Sequence, residues 1–160
     1  RAERKGVGSS SIIQLHSRTR LKFNRSWSHI QDDATDVVVL WFVRRGCLRI
    51  RSNGNECVAR EGDFALTKSM QPFAIRCEPD QESMHDVLHL VVPAHDFRRF
   101  VPHEVKAGFV VEQGCSRLAL AQQIIDGLFG EVDTMSERTE QLLMESALAL
   151  VGESRDGRDE

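Results

Sequence analysis

Arginine recurs at spaced positions through residues 44–66, RRGCLRIRSNGNECVAREGDFAL. Residues two apart on a strand share a face. Arg45, Arg49 and Arg51 are therefore expected to point one way beside Cys47, with Arg44 next to them and Arg60 and Arg76 on neighbouring strands. At strand spacing, Arg45 and Arg49 would stand about 13 Å apart, so two long side chains could converge on one ligand. A guanidinium is a planar fork that matches phosphates, carboxylates and the acceptor edge of guanine. The chemistry offered is anion binding. The same charges also read as a solvated strand face laced by Glu56 and Glu61, where arginines discourage edge-to-edge pairing.

A second polar cluster precedes this segment. Asn24, Arg25, Ser26 and Trp27 are consecutive, with Arg18 and Arg20 just upstream. Trp27 lies among polar residues and offers a ring for stacking on a base, whereas Trp41 sits inside an apolar run and reads as core. Arg18, Arg20 and Arg25 read either as a basic lid over a ligand or as a solvated arm.

Catalytic and metal-binding patterns are weak. There is no His-x-His pair, and the hairpin segment carries no histidine. His85 and His89 would share one strand face, but two ligands do not make a metal site. His16, His29, His95 and His103 are scattered, and no Ser-His-Asp or Cys-His arrangement can be argued from spacing. No metal, cofactor or enzymatic activity is expected.

The chain has 160 residues, the size of one ordinary domain with a real core. Its net charge of −3 argues against nucleic-acid binding by bulk electrostatics. Cys47, Cys57, Cys77 and Cys115 form no Cys-x-x-Cys pair and suit reduced residues of a cytoplasmic protein. No signal peptide and no apolar run of about 18 residues stands out, so export and a membrane span are not expected.

These residues must be positioned by strands first and helices later. Residues 1–11 are basic and then Gly/Ser-rich, and are expected to be a mobile arm. Ser11 to Phe23 has room for one or two short strands. The run 36–43, DVVVLWFV, is apolar, β-branched and of strand length. Cys47–Ser52 and Glu56–Ala59 flank Asn53-Gly54, a hairpin signal because both turn positions tolerate positive φ. Phe64–Thr67, Phe73–Cys77 and His85–Val92 are further strands. Pro93 then opens a short helix over Ala94 to Phe100. From Ser116 the period becomes helical: Leu118, Leu120, Ile124, Ile125, Leu128 and Phe129 recur at helical steps. Ser136 is expected to cap a second helix striped by Leu142, Leu143, Ala147 and Leu150. Residues 152–160 are polar and expected to be a disordered tail.

In order and spacing, VVVLWFVRRGCLRI, NGNECVAREGDFALTKSMQPF, HLVVPAHDFRRFVP and LALAQQIIDGLF resemble the N-terminal cupin-like sensor domain of AraC/XylS-type transcription regulators. The resemblance runs from Val37 to about Val151, and Glu61-Gly62-Asp63 stands where that family usually has Pro-Gly-Asp. It implies a mainly β fold: a small antiparallel cupin-like β-barrel over 12–115, followed by an amphipathic two-helix appendage over 116–151 that packs on the barrel or forms a homodimer. It also implies a small-molecule effector and a helix-turn-helix DNA-binding domain outside this chain, since too little follows Val151 to form one and the chain starts at Arg1 rather than Met.

Arg45 to Arg49 also resembles the Arg-x-x-x-Arg motif of PilZ-type cyclic-di-GMP sensors. Asn24-Arg25-Ser26-Trp27-Ser28-His29 is similar to their Asp/Asn-x-Ser-x-x-Gly motif except at the last position and in lying before the arginines. That resemblance implies cyclic-di-GMP as the first candidate effector, held by Arg44, Arg45, Arg49 and Arg51 with Asn24, Arg25, Ser26 and Trp27. The alternatives are an aromatic or sugar metabolite inside the barrel, among Val39, Trp41, Phe64 and Leu90, and a dimerisation module with an empty barrel.

Overall fold

The computed structural model describes residues 2–33, 35–52, 54–101, 109–111, 116–130 and 135–158. Its elements are β1 (Ala2–Val7), β2 (Ser10–Ser17), β3 (Leu21–Arg25), α1 (Trp27–Asp33), β4 (Val37–Arg45), β5 (Cys47–Ser52), β6 (Asn55–Ala59), β7 (Phe64–Lys68), β8 (Phe73–Glu78), β9 (His85–Pro93), α2 (Ala94–Phe100), β10 (Phe109–Val111), α3 (Ser116–Gly130) and α4 (Glu137–Arg158).

Alternation within β4 sets up three layers. Val38, Leu40 and Phe42 face the helices, in a core with Leu66, Leu88 and Leu90. Trp41 and Val43 face the other way, in a second core with Leu48, Ile50 and Ile75. A strand that is apolar on both faces must be covered on both, so β4 lies inside a six-stranded sheet of order β1-β2-β9-β4-β7-β10. Helices cover one side of it. A four-stranded sheet of order β3-β8-β5-β6 covers the other. The expected barrel is thus mainly β but not closed: two antiparallel sheets pack face to face.

The connections have local causes. Gly54 takes φ +77 and Ser52 pairs with Asn55, closing the β5–β6 hairpin; Asn53 lies outside the described residues. Gly62 takes φ +91, and the Asp63 carboxylate accepts the Arg60 amide hydrogen at 2.8 Å, which makes Gly-Asp the turn into β7. Ser136 accepts the Thr139 amide hydrogen at 3.2 Å and so caps α4.

Two expectations are corrected. Residues 2–7 are not a mobile arm but strand β1, paired along its length with β2. Lys5 fixes it further by donating to the Leu128 carbonyl and pairing with Glu140 at 2.5 Å. Second, α4 continues past Val151 to Arg158 instead of ending in a disordered tail. The helical stripes lie largely where expected: Leu118, Ile125, Leu128 and Ala147 are buried in one core with Ala121, Met144, Leu148 and Val151, and Ile124, Phe129, Leu143 and Leu150 pack against it, while Leu120 and Leu142 are half exposed. Burying each Leu or Ile is worth roughly 1.5–3 kcal/mol, so this interface holds α3 to α4, and the same core continues into Leu40, Phe42, Leu88 and Leu90 of the six-stranded sheet.

Candidate anion-binding groove

The outer face of the four-stranded sheet gathers the cations. Directly opposed residues of an antiparallel pair project from the same face. Lys22 on β3 opposes Arg76 on β8, and Arg76 opposes Arg49 on β5. At the usual strand separation these three cations form a row about 10 Å long. In the next row Asn24 opposes Ala74, Ala74 opposes Arg51, and Arg51 opposes Glu56. The short Ala74 between longer neighbours leaves a hollow. Lys22, Asn24, Arg49, Arg51, Glu56 and Arg76 line a groove of about 370 Å³.

Two carboxylates occupy part of this field. Arg49 Nε donates to Glu78 at 3.1 Å, and Arg51 donates to Glu56 at 3.2 Å, with Arg49 3.8 Å from the same Glu56. Burial pushes the Glu78 carboxyl upward, but the Arg49 hydrogen bond and the charges of Arg49, Arg76 and Arg20 outweigh it and hold it below the usual range. Cys47 lies 3.7 Å from Glu78, and its thiol is pushed up by burial and then by that charge. Lys22 and Arg76 form no ion pair among the described residues.

The remaining predicted residues lie elsewhere. Gly46, at φ +82, ends β4 and starts β5, so Arg45 does not continue the face of Arg49 and Arg51 as expected. Arg45 turns to the loop after β8, pairing with Asp80 at 3.0 Å and Glu82 at 2.7 Å. Arg44 points toward α3, 3.3 Å from Asp126 and 3.6 Å from Asp86. Arg25 clamps Asp33 with both terminal nitrogens at 2.8 Å and donates to the Ser69 carbonyl, tying α1 to the turn after β7. That fork holds the Asp33 carboxyl far below its ordinary range. Ser26 is an N-cap: its hydroxyl accepts the His29 amide hydrogen at 3.4 Å, and its own amide donates to His29 Nδ1 at 3.1 Å. Trp27 is exposed on α1 and does not line the groove.

The space between the sheets is aromatic. Phe23, Trp41 and His89 cluster there, and Trp41 Nε1 donates to Thr67 Oγ1 at 2.9 Å. The lining Val39, Trp41, Phe64 and Leu90 does not come together, because Phe64 and Leu90 face the helices. His89 Nε2 and the ring nitrogens of fully buried His85 have no partner of normal hydrogen-bond geometry among the described residues. Among the described residues, no three His, Cys, Asp or Glu side chains are placed to hold a metal ion. No helix there is long and apolar enough to cross a membrane.

Of the residues expected from the sequence, Asn24, Arg49 and Arg51 line the groove together; Lys22, which the sequence did not single out, and Arg76 line it with them. Both alternate correctly with apolar neighbours on their strands. Their meeting depends on the β3–β8–β5 pairing, which joins segments some 25–55 residues apart and leaves no local signal.

A family model, the AraC-binding-like domain, matches residues 13–153. The fold is similar to that of the AraC-like transcriptional activator CuxR, with a TM-score of 0.76 at 12% identity, over 94% of this chain and 53% of that one. It is also similar to an apo variant of ToxT from Vibrio cholerae, with a TM-score of 0.62 at 9% identity, over 94% of this chain and 56% of that one. This chain therefore spans about half the length of these two proteins. No curated protein matches it.

Proposed function

The chain belongs to the AraC-binding-like domain family, and from that membership we propose that it is the ligand-sensing domain of an AraC-type transcription regulator, with an anionic small molecule as effector. Cyclic-di-GMP is the first candidate. The observation that carries this reading is the groove in which Arg49, Arg51 and Asn24 come together under a surplus of positive charge. DNA binding would belong to a helix-turn-helix domain outside this chain, and no catalytic step is assigned. An effector shifts such a regulator only if it prefers one of two arrangements of sensor and helices. Arg44, bridging β4 to Asp126 on α3, is a physical connection between the strand layer and the helices.

Titration calorimetry with cyclic-di-GMP tests the proposal, beside Arg49→Ala and Arg51→Ala. Micromolar binding lost in both variants supports it. Binding that survives both, or none at all, removes the groove as the site of this ligand.

One observation favours a second reading, a metabolite between the sheets. His89 Nε2 is buried without a partner next to Trp41 and Phe23, and a buried polar atom left unpaired is costly. A hydroxyl or carboxylate of a small ring compound would satisfy it. Binding abolished by Thr67→Leu but indifferent to Arg49→Ala identifies that site.

A further inference from the structure

We propose that the groove is a two-anion site: Arg49 and Arg51 hold one phosphate of the effector, and Lys22 and Arg76 hold a second. The ligand class is then a compact molecule with two separated phosphates, such as a cyclic dinucleotide. This inference rests on the anionic-effector reading above and names the chemistry of the same site.

Three observations carry it. The first is the row Lys22, Arg76, Arg49, in which like charges stand directly opposite one another on adjacent strands. Such opposition is unfavourable in an empty sheet, and an anion laid across the row removes the penalty. The second is an imbalance. Four cations line the groove against two carboxylates, Glu56 in it and Glu78 beside it, and of these cations only Arg49 and Arg51 form ion pairs among the described residues. Lys22 and Arg76 on the β3–β8 side form no ion pair among the described residues. The third is size. A row about 10 Å long exceeds a single phosphate and suits two anionic groups on one scaffold. Asn24, in the adjacent row, adds amide donor and acceptor groups for a base edge.

Glu56 and Glu78 have a defined part in this arrangement. They hold the arginine forks when no ligand is present, each through the hydrogen bonds a phosphate would take. Glu56 lies in the groove itself, so a bound phosphate replaces it on Arg51 and Arg49. The carboxylate is therefore a competitor, and its removal tightens binding.

The test measures affinities of cyclic-di-GMP, cyclic-di-AMP and guanosine monophosphate for the chain by calorimetry at one fixed salt concentration. The variants are Lys22→Gln, Arg76→Gln and Glu56→Gln, with Arg117→Gln on α3 as a control outside the groove. The expected result has at least one cyclic dinucleotide binding tenfold or more tighter than the mononucleotide. Lys22→Gln and Arg76→Gln each weaken it by about tenfold, as loss of a charge-assisted contact does. Glu56→Gln strengthens it, and Arg117→Gln leaves it unchanged. If cyclic-di-GMP binds and depends on Arg49 and Arg51 but not on Lys22 or Arg76, the two-anion inference is overturned while the anionic-effector reading stands. If cyclic-di-AMP binds through the row and cyclic-di-GMP does not, the inference stands and the first-candidate ligand falls. Mononucleotide binding equal to that of the dinucleotides overturns the inference, and no binding of any of the three overturns both.

Discussion

The imidazole of His89 lies against the indole of Trp41, with ring centroids 4.0 Å apart and planes at 50°. The pair sits between the two sheets, where water cannot solvate an imidazolium. Burial, and then the nearby His85, push the His89 pKa down to about 4 from an ordinary 6.5.

This gives a pH dependence with a definite sign. The unfolded chain takes up the His89 proton near pH 6.5, whereas the folded chain resists until about pH 4. The stabilising contribution is complete above pH 6.5, falls as the pH drops through that interval and levels off below it. Its size is on the order of 3 kcal/mol. His85, pushed down by burial, adds a loss of the same sign. Urea unfolding from pH 7 to pH 4 should show declining stability, and His89→Gln should flatten the decline. Parallel curves for the two proteins would remove His89 as the cause.

Gly46→Ala should be severe. Gly46 has φ +82, and a Cβ there would meet the Glu78 carbonyl oxygen and stand 2.9 Å from the Cβ of His85. The left-handed conformation alone costs a side-chain-bearing residue about 1–2 kcal/mol. The contact with backbone adds to it, so a loss above about 2 kcal/mol is expected in urea unfolding. A loss under about 0.5 kcal/mol would mean that the β4–β5 corner is not as described. Gly54 offers the contrast: its φ is also positive, but its Cβ position is open, so Gly54→Ala should cost less.

How far the sequence reveals this protein depends on the range of the interaction. The run 36–43, the hairpin around Gly54, the Gly62-Asp63 turn and the Ser136 cap are local signals, and each appears where its residues predict. The arginine face is half legible. Alternation correctly places Arg49 and Arg51 together, but the same rule wrongly adds Arg45, because Gly46 breaks the strand between them. The partners of Arg44, Arg45 and Arg25 are carboxylates 82, 35 and 8 residues away for Asp126, Asp80 and Asp33, a range over which spacing has little to say. Lys22 entered the groove only once β3 was paired with β8. The arm was misread because basic, Gly/Ser-rich composition predicts mobility, and the contact that fixes Lys5 comes from α3 and α4.

That contact is testable by itself. The Lys5 ammonium is mostly buried, pairs with Glu140 and donates to the Leu128 carbonyl near the end of α3. Lys5→Met keeps the apolar stem but leaves a carboxylate and a carbonyl short of a donor. A loss of about 1–3 kcal/mol is expected, with faster amide exchange in β1 and the first turn of α4. Unchanged exchange in both segments would show that β1 is not held there.

Asp126 should behave in the opposite way from an ordinary paired carboxylate. Burial raises its pKa, Arg44 lowers it and the Asp86 charge raises it again, for a net upward shift. A raised folded pKa means that folding disfavours the ionised form, so stability falls as pH rises from the unfolded value through the folded one. At neutral pH Asp126→Asn should therefore be neutral or stabilising, within about 1 kcal/mol because the side chain is half exposed. The gain should vanish at acid pH, where the aspartate is protonated in both states. Arg44→Ala should remove the one attraction that opposes the shift and make the Asp126→Asn gain larger, a coupling that a double-mutant cycle reads directly. A neutral-pH loss for Asp126→Asn that disappears in the Arg44→Ala background would show instead that the ion pair outweighs burial, and that Arg44 holds α3 to the sheet by net attraction.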